Sequence, residues 1–243
     1  MLKNLWIEKI ASIWIDLETS LESINLAKKY EFIYAVIWIH PNDVNLYEWK
    51  LDETIKKLET LYLENKNNIV WIWECWFDFF KIKEEDLENT RNIQEKFFIA
   101  QINLAKKYNL PVIVHTRNAK DDTLRVLKET NCKNFILHCF SEDLDYAYKA
   151  IYFSDECMIS FSWIVTYKSA LNVARVASNI PLEKILIETD CPYLAPQKFR
   201  WQINEPSYVK EVYEKICELR NENPEKIKKQ IWENSLKIFK ISK

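Results

Sequence analysis

Apolar residues along this chain gather in short runs, separated by longer stretches in which they recur every three or four positions. The runs are 7–13 (IEKIASI), 34–39 (YAVIWI), 69–74 (IVWIWE), 111–115 (PVIVH), 134–138 (NFILH), 158–162 (MISFS) and 185–189 (ILIET). Most are continuously apolar, as strands buried on both faces of a parallel sheet must be. The stretches between them read as amphipathic helices. Residues 91–106 put Ile93, Phe97, Ala100 and Leu104 on one stripe, and residues 206–219 do the same with Val209, Val212, Ile216 and Leu219. Asn223 before Pro224 reads as an N-cap and an N1 proline opening a last helix. Glu225 then sits in the first turn, where a negative charge suits the helix dipole.

Strands alternating with helices imply an α/β fold with a parallel sheet. A length of 243 residues suits one large domain, and no Pro- or Ser-rich linker, low-complexity segment or repeat divides it. The expected architecture is a single TIM-type (β/α)8 barrel domain over residues 1–243. Seven runs are one short of eight, and the chain opens on a helix-like MLKNLW. The first strand is therefore expected to be missing.

Composition narrows the function classes. Hydrophobic residues at 48% and charged residues at 29% are those of an ordinary soluble globular protein. A net charge of −2 argues against broad electrostatic binding of nucleic acid, while leaving open an anionic substrate held by a metal and a few local cations. No signal peptide is visible, and no apolar stretch reaches the length of a membrane span. A cytoplasmic protein without membrane contact is the expectation. Six cysteines (Cys75, Cys132, Cys139, Cys157, Cys191, Cys217) lie scattered without a Cys-x-x-Cys pair, which suits reduced, mostly buried thiols better than a disulfide framework. One value is abnormal. The chain has 0 Gly and 10 Trp, where average usage would give roughly seventeen glycines. Without glycine, positive-φ turns and helix C-caps lack their usual solution.

The candidate chemistry sits at strand ends. All three histidines, His40, His115 and His138, lie at or just past the C-terminus of a run, and so do Glu74 and Asp190. In a barrel such positions converge on one mouth, where active sites are built. Imidazoles and carboxylates there are suitable ligands for a divalent ion, which lowers the pKa of a bound water and polarises a phosphoryl or carbonyl oxygen. Taken singly, each residue has a commoner explanation. A histidine after a strand is more often hydrogen-bonded structure, and an acid there is often a helix N-cap. Taken together they favour a metal site.

Seven ordered motifs carry a resemblance. WIHPND (38–43), WIWECWFDFF (71–80), LPVIVHTRNA (110–119), ILHCFS (136–141), FSWIVTYK (161–168), ILIETDCPYLAP (185–196) and FRWQINEPSYV (199–209) follow one another in order and spacing. The chain resembles the TatD-like deoxyribonucleases, metal-dependent (β/α)8 hydrolases related to the amidohydrolases, along essentially all of its length. The resemblance implies that Glu74, His115, His138 and Asp190 are metal ligands, that Glu74 bridges two ions (Mg2+, Mn2+ or Zn2+), and that Asp190 also activates the attacking water. Glu74 and Asp190 are thus the implied catalytic residues. His40 and Arg117 would line the pocket, with a structural role equally open for each; Arg117 in particular could tie down the loop after its strand. Arg200 is a candidate phosphate contact, a solvated loop arginine being the commoner case, and Cys191 reads as inert packing.

Two features depart from the family pattern. Its first strand bears His-x-His, supplying two ligands, and no such motif occurs here; the chain is expected to be N-terminally truncated. Trp also stands where the resemblance expects Gly, at Trp6, Trp14, Trp38, Trp73, Trp76, Trp163 and Trp201, whereas Trp49, Trp71 and Trp232 are less clear. Glycine codons rendered as tryptophan explain both the Trp positions and the missing Gly. The leading expectation is a monomeric divalent-metal phosphodiesterase acting on DNA, as a 3′→5′ exonuclease on single strands. The alternatives are an ester or amide hydrolase such as an aminoacyl-tRNA deacylase, and a truncated barrel without catalysis or a binding protein.

Overall fold

The computed structural model describes residues 7–13, 17–37, 50–72, 74–80 and 82–241, with a backbone description only at 17–18, 70–72 and 74–76. His40, Trp6, Trp14, Trp38, Trp49 and Trp73 lie outside the described residues. The chain divides into two compact units, Glu8–Phe135 and the residues from Ile136 onward.

The N-terminal unit follows the alternation read from the sequence. Its elements are β1 (Ile10–Ile13), α1 (Leu17–Lys29), β2 (Ile33–Ile37), α2 (Leu51–Glu64), β3 (Ile69–Ile72), β4 (Glu74–Asp78), α3 (Glu84–Lys107), β5 (Val112–Arg117) and α4 (Lys120–Glu129). Strands β1, β2 and β3 pair in that order, all parallel. β4 pairs with β5, also parallel, from Glu74↔Ile113 to Asp78↔Arg117. Strand structure is thus found beyond the run expected at 69–74. Cys75, Trp76 and Phe77 continue as strand residues; Phe77 is fully buried and meets Phe98 of α3 edge-on, ring centroids 5.6 Å apart. Asp78 ends the strand opposite Arg117, a charge matched across the pair. Glu74 is a strand residue, the first of β4.

The missing glycines leave a visible solution. Asn109 (φ 53) follows α3 and Asn131 (φ 48) follows α4, each in the left-handed conformation a helix C′ position favours. After α3, the Leu110 N–H donates to Ala105 O at 2.9 Å and the Asn109 N–H to Lys106 O at 3.1 Å. After α4, Cys132 N–H reaches Leu127 O at 2.9 Å and Asn131 N–H reaches Lys128 O at 3.0 Å. Both are complete Schellman closures built on asparagine, the residue that best tolerates αL after glycine.

In the C-terminal unit, β6 (Phe135–Leu137), which begins at the boundary, pairs in parallel with β7 (Met158–Phe161), and β7 with β8 (Ile185–Ile187). Helices α5 (Leu144–Phe153), α6 (Leu171–Asn179), α7 (Val209–Leu219) and α8 (Pro224–Phe239) accompany them, with short 3₁₀ turns that include Trp163–Thr166 and Leu182–Lys184. The expected stripe of α7 is partly buried, at Val212 and Ile216. Asn223 caps α8 as its sequence predicts, its Oδ1 accepting from the Glu225 N–H at 2.8 Å. Buried Asn234 of α8 donates to Leu182 O (2.9 Å) and Ile185 O (2.8 Å), which anchors the start of β8. No described helix is long and apolar enough to cross a membrane. Cys132, Cys139, Cys157, Cys191 and Cys217 carry thiols rather than disulfides, with Cys132 and Cys157 buried.

Candidate metal centre

The ends of β6 and β8 bring four potential ligands together. His138 and Cys139 form the turn that leaves β6; Glu188 and Asp190 lie just beyond β8. One ligand atom from each of these four falls within 4.8 Å of all the others. Both strands are short apolar runs, FIL and ILI, buried almost throughout, so their first polar residues emerge together at one end of the parallel set. The backbone at Cys139 is strained, with φ 44, and this turn directs the Cys139 N–H onto Glu188 Oε1 at 2.6 Å.

The imidazole of His138 is addressed from both sides. Its Nδ1 lies 2.8 Å from Glu188 Oε1, a hydrogen bond, and its Nε2 lies 3.8 Å from Asp190 Oδ1. The second distance is too long for a hydrogen bond. It would suit two ligands sharing one cation, since bonds of about 2.0–2.2 Å place neighbouring ligands about 3–4 Å apart. Asp190 Oδ2 in turn accepts from Trp163 Nε1 at 2.9 Å and from Cys139 Sγ at 3.4 Å. Ser160 of β7 donates its hydroxyl to Glu188 Oε2 at 2.6 Å, and Cys139 Sγ lies 2.9 Å from Ser162 Oγ.

Burial sets the electrostatics of the cluster. It pushes the Glu188 carboxyl up, but the neighbouring His138, its hydrogen bond, the Ser160 hydroxyl and the Cys139 N–H outweigh it and hold Glu188 below the usual range. Asp190 goes the other way: burial raises it, His138 opposes the rise, and the nearby Glu188 charge adds to it. The Cys139 thiol is raised well above its ordinary value by burial and by the two carboxylates. The two carboxylates are thus shifted in opposite directions, on opposite sides of a single imidazole. A nitrogen, a carboxylate oxygen and a thiol at this spacing fit a divalent cation that accepts mixed N, O and S ligands.

The other residues singled out in the sequence lie on other elements of the chain. His115, half-buried in β5, pairs in register with Trp76, and Glu74 pairs with Ile113 two residues earlier on each strand. Arg117 makes a two-pronged ion pair with Asp78, Nε to Oδ1 at 2.9 Å and Nη2 to Oδ2, and its guanidinium also covers the Phe80 ring at 4.4 Å. Asp78 is therefore the partner that a structural role for Arg117 requires. Arg200 is exposed on a loop, its guanidinium 5.4 Å from the Tyr167 ring and 4.8 Å from that of Trp201. Cys191 is half-buried. The sequence reading passed over Glu188, Ser160 and Cys139. The available signal was Glu188 itself, an acid two residues before Asp190 at the end of the same run; counting it inside the strand hid it.

The chain is similar to known proteins along nearly its whole length. The family model described as TatD related DNase matches residues 2–240. The metal-dependent hydrolase YabD of Bacillus subtilis is 36% identical over 244 residues, covering 97% of this chain and 89% of its own. The metal-dependent hydrolase MG009 of Mycoplasma genitalium is 34% identical over 92% of this chain and 85% of its own. Among solved structures, the TatD homologue YjjV of Escherichia coli superposes with a TM-score of 0.87 at 27% identity, over 98% of this chain and 88% of that one. A TatD-family hydrolase of Entamoeba histolytica, 21% identical, shares the fold with a TM-score of 0.81 over 97% of this chain and 86% of its own. The fold is the parallel α/β architecture of the TatD TIM barrels, as the strand and helix alternation implied. With a family match along nearly the whole chain and relatives above 30% identity, this protein belongs to the TatD family.

Proposed function

We propose that this protein is a divalent-metal-dependent hydrolase that cleaves DNA phosphodiester bonds, as a 3′→5′ exonuclease on single strands. The observation that carries the reading is the His138–Asp190 pair, Nε2 and Oδ1 at 3.8 Å with Nδ1 committed to Glu188. The description of the matching family as a DNase and the names of the relatives as metal-dependent hydrolases support it.

In this reading His138 and Asp190 are ligands, and Glu74 and His115 are ligands by their motif positions, toward a two-ion complement. A divalent ion held there supplies Lewis-acid polarisation of a phosphoryl oxygen and compensates the charge that builds up on it. The chain's own groups do the rest. Asp190 would also take the proton of an attacking water, the role its motif position implies. Glu188 stays ionised on the far side of His138.

A single-stranded oligonucleotide labelled at its 5′ end tests this. With Mg2+, Mn2+ or Zn2+ the expected products form a ladder shortened from the 3′ end, abolished by EDTA and by Asp190→Asn. An untouched oligonucleotide together with metal-dependent release of the amino acid from an aminoacyl-tRNA would move the chemistry to ester hydrolysis. Inertness toward both substrates would contradict the reading.

A further inference from the structure

The geometry points to Glu188 as the positioning residue of this centre: a carboxylate that does not bind the cation but fixes the tautomer and aim of His138. The inference rests on the metal-site reading above. It separates two acids that sequence spacing and proximity alone would treat alike, since both belong to the same four-residue cluster.

The separation follows from where the hydrogen bonds go. Glu188 Oε1 accepts from the Nδ1–H of His138 at 2.8 Å and from the backbone N–H of Cys139 at 2.6 Å, and Oε2 accepts from the Ser160 hydroxyl at 2.6 Å. Both oxygens are committed to donors from two segments, the turn after β6 and strand β7. Asp190 lies on the other face of the imidazole, opposite Nε2. In a neutral histidine, a proton held on Nδ1 by an acceptor leaves the lone pair on Nε2. Glu188 therefore selects the tautomer whose unprotonated nitrogen faces Asp190. Such a carboxylate behind a histidine orients the ring and strengthens it as a ligand.

Glu188 also holds the turn that carries the ring. Cys139 sits at φ 44, a conformation that a side-chain-bearing residue keeps only when its surroundings enforce it. The bond from its N–H to Glu188 is such a restraint, and the same oxygen takes the adjacent imidazole. Rotation of His138 away from Asp190 would break one bond and loosen the other. Ser160 fixes the carboxylate from β7, so its plane is set by the sheet and not by the ion.

Equilibrium Mn2+ binding to the full chain, read alongside the melting temperature in EDTA and the imidazole 15N shifts at pH 8, tests the assignment. The variants are Glu188→Gln, Glu188→Ala and Asp190→Asn. Glu188→Gln keeps the length, an oxygen for the two N–H donors and an amide that can donate to Ser160. Its chelated melting temperature is expected to match the wild type while its Mn2+ dissociation constant rises about 10-fold, with Glu188→Ala approaching about 100-fold. The wild-type His138 signal is expected in the Nδ1–H form, and in Glu188→Ala it should shift toward the other tautomer. The chain has only three histidines, which keeps the assignment short. Wild-type Mn2+ affinity in Glu188→Gln, with affinity lost in Asp190→Asn, would overturn the positioning role and leave the metal site standing. Glu188→Gln losing Mn2+ as completely as Asp190→Asn would make Glu188 a ligand and overturn the assignment. A wild-type chain that binds no Mn2+ would overturn the metal reading and this inference together.

Discussion

Asp78 and Arg117 stand directly opposite each other at the ends of β4 and β5, joined by two hydrogen bonds, with the aspartate almost wholly buried and the arginine half exposed. The Gln94 side chain of α3 clamps the same strand end, its Oε1 accepting from the Asp78 N–H at 3.1 Å. Removing the arginine leaves a buried carboxylate with its partner gone. Arg117→Ala is therefore expected to destabilise the protein by about 3 kcal/mol, at the low end for a broken buried pair because Arg117 reaches solvent. Arg117→Lys should recover only part of this, since an ammonium cannot supply both prongs. Urea denaturation measures it. A raised KM without any loss of stability would instead make Arg117 a substrate contact.

The loop between α7 and α8 predicts an acid-sensitive contribution to stability. Arg220, almost fully buried, donates to Ala177 O at 2.7 Å and Ile180 O at 2.9 Å near the end of α6, and to Glu222 Oε1 at 2.7 Å. The hydrogen bond from Arg220 is the main reason that the Glu222 carboxyl lies below its ordinary value. A carboxyl lowered in the folded state adds stability above its unfolded pKa, near ~4.3, and loses it as the pH falls through the folded value. The urea midpoint is expected to fall between about pH 5 and pH 3, and to fall less steeply in Glu222→Gln. Identical slopes in the two proteins would contradict the linkage.

Trp201 occupies a backbone conformation that suits another residue. Its φ is 75 and its side chain is 89% exposed, so the indole gains little burial for a strained turn. Trp201→Gly is expected to stabilise by about 1 kcal/mol, raising the melting temperature by roughly 2–4 °C in a protein of this size. A drop in melting temperature would mean that the stacking of Arg200 on the indole outweighs the strain. Peptide mass spectrometry of the protein from its natural source bears on the same point. Glycine is expected at position 201, and likewise at 73 and 76; tryptophan at those positions would refute the recoding.

Much of this architecture is legible in the hydropathy pattern. The runs at 158–162 and 185–189 become β7 and β8 within two residues, and Asn223 caps the helix that its spacing announced. His138 and Asp190 stand out because ionisable residues interrupt apolar runs where strands end. Glu188 stands in the same run, yet its function depends on which side of an imidazole it reaches, and that is set by the β6 turn 49 residues away from it in the chain. Strand β4 ends on Asp78, whose charge is matched by Arg117 in the neighbouring strand, which a linear pattern does not reveal. The absence of glycine suggested unsolved helix ends, and the solution, asparagine at 109 and 131, was present in the sequence but lacks the prominence of a glycine.

Metal content tests the central claim most directly. The full chain is equilibrated with Mn2+ or Zn2+, dialysed against metal-free buffer, and assayed by elemental analysis beside His138→Asn and Asp190→Asn. Wild-type protein is expected to retain divalent metal in stoichiometric amount, with a clear loss in each variant and unchanged far-ultraviolet circular dichroism. Wild-type protein free of metal, or variants that retain as much as the wild type, would contradict a metal centre built on His138 and Asp190.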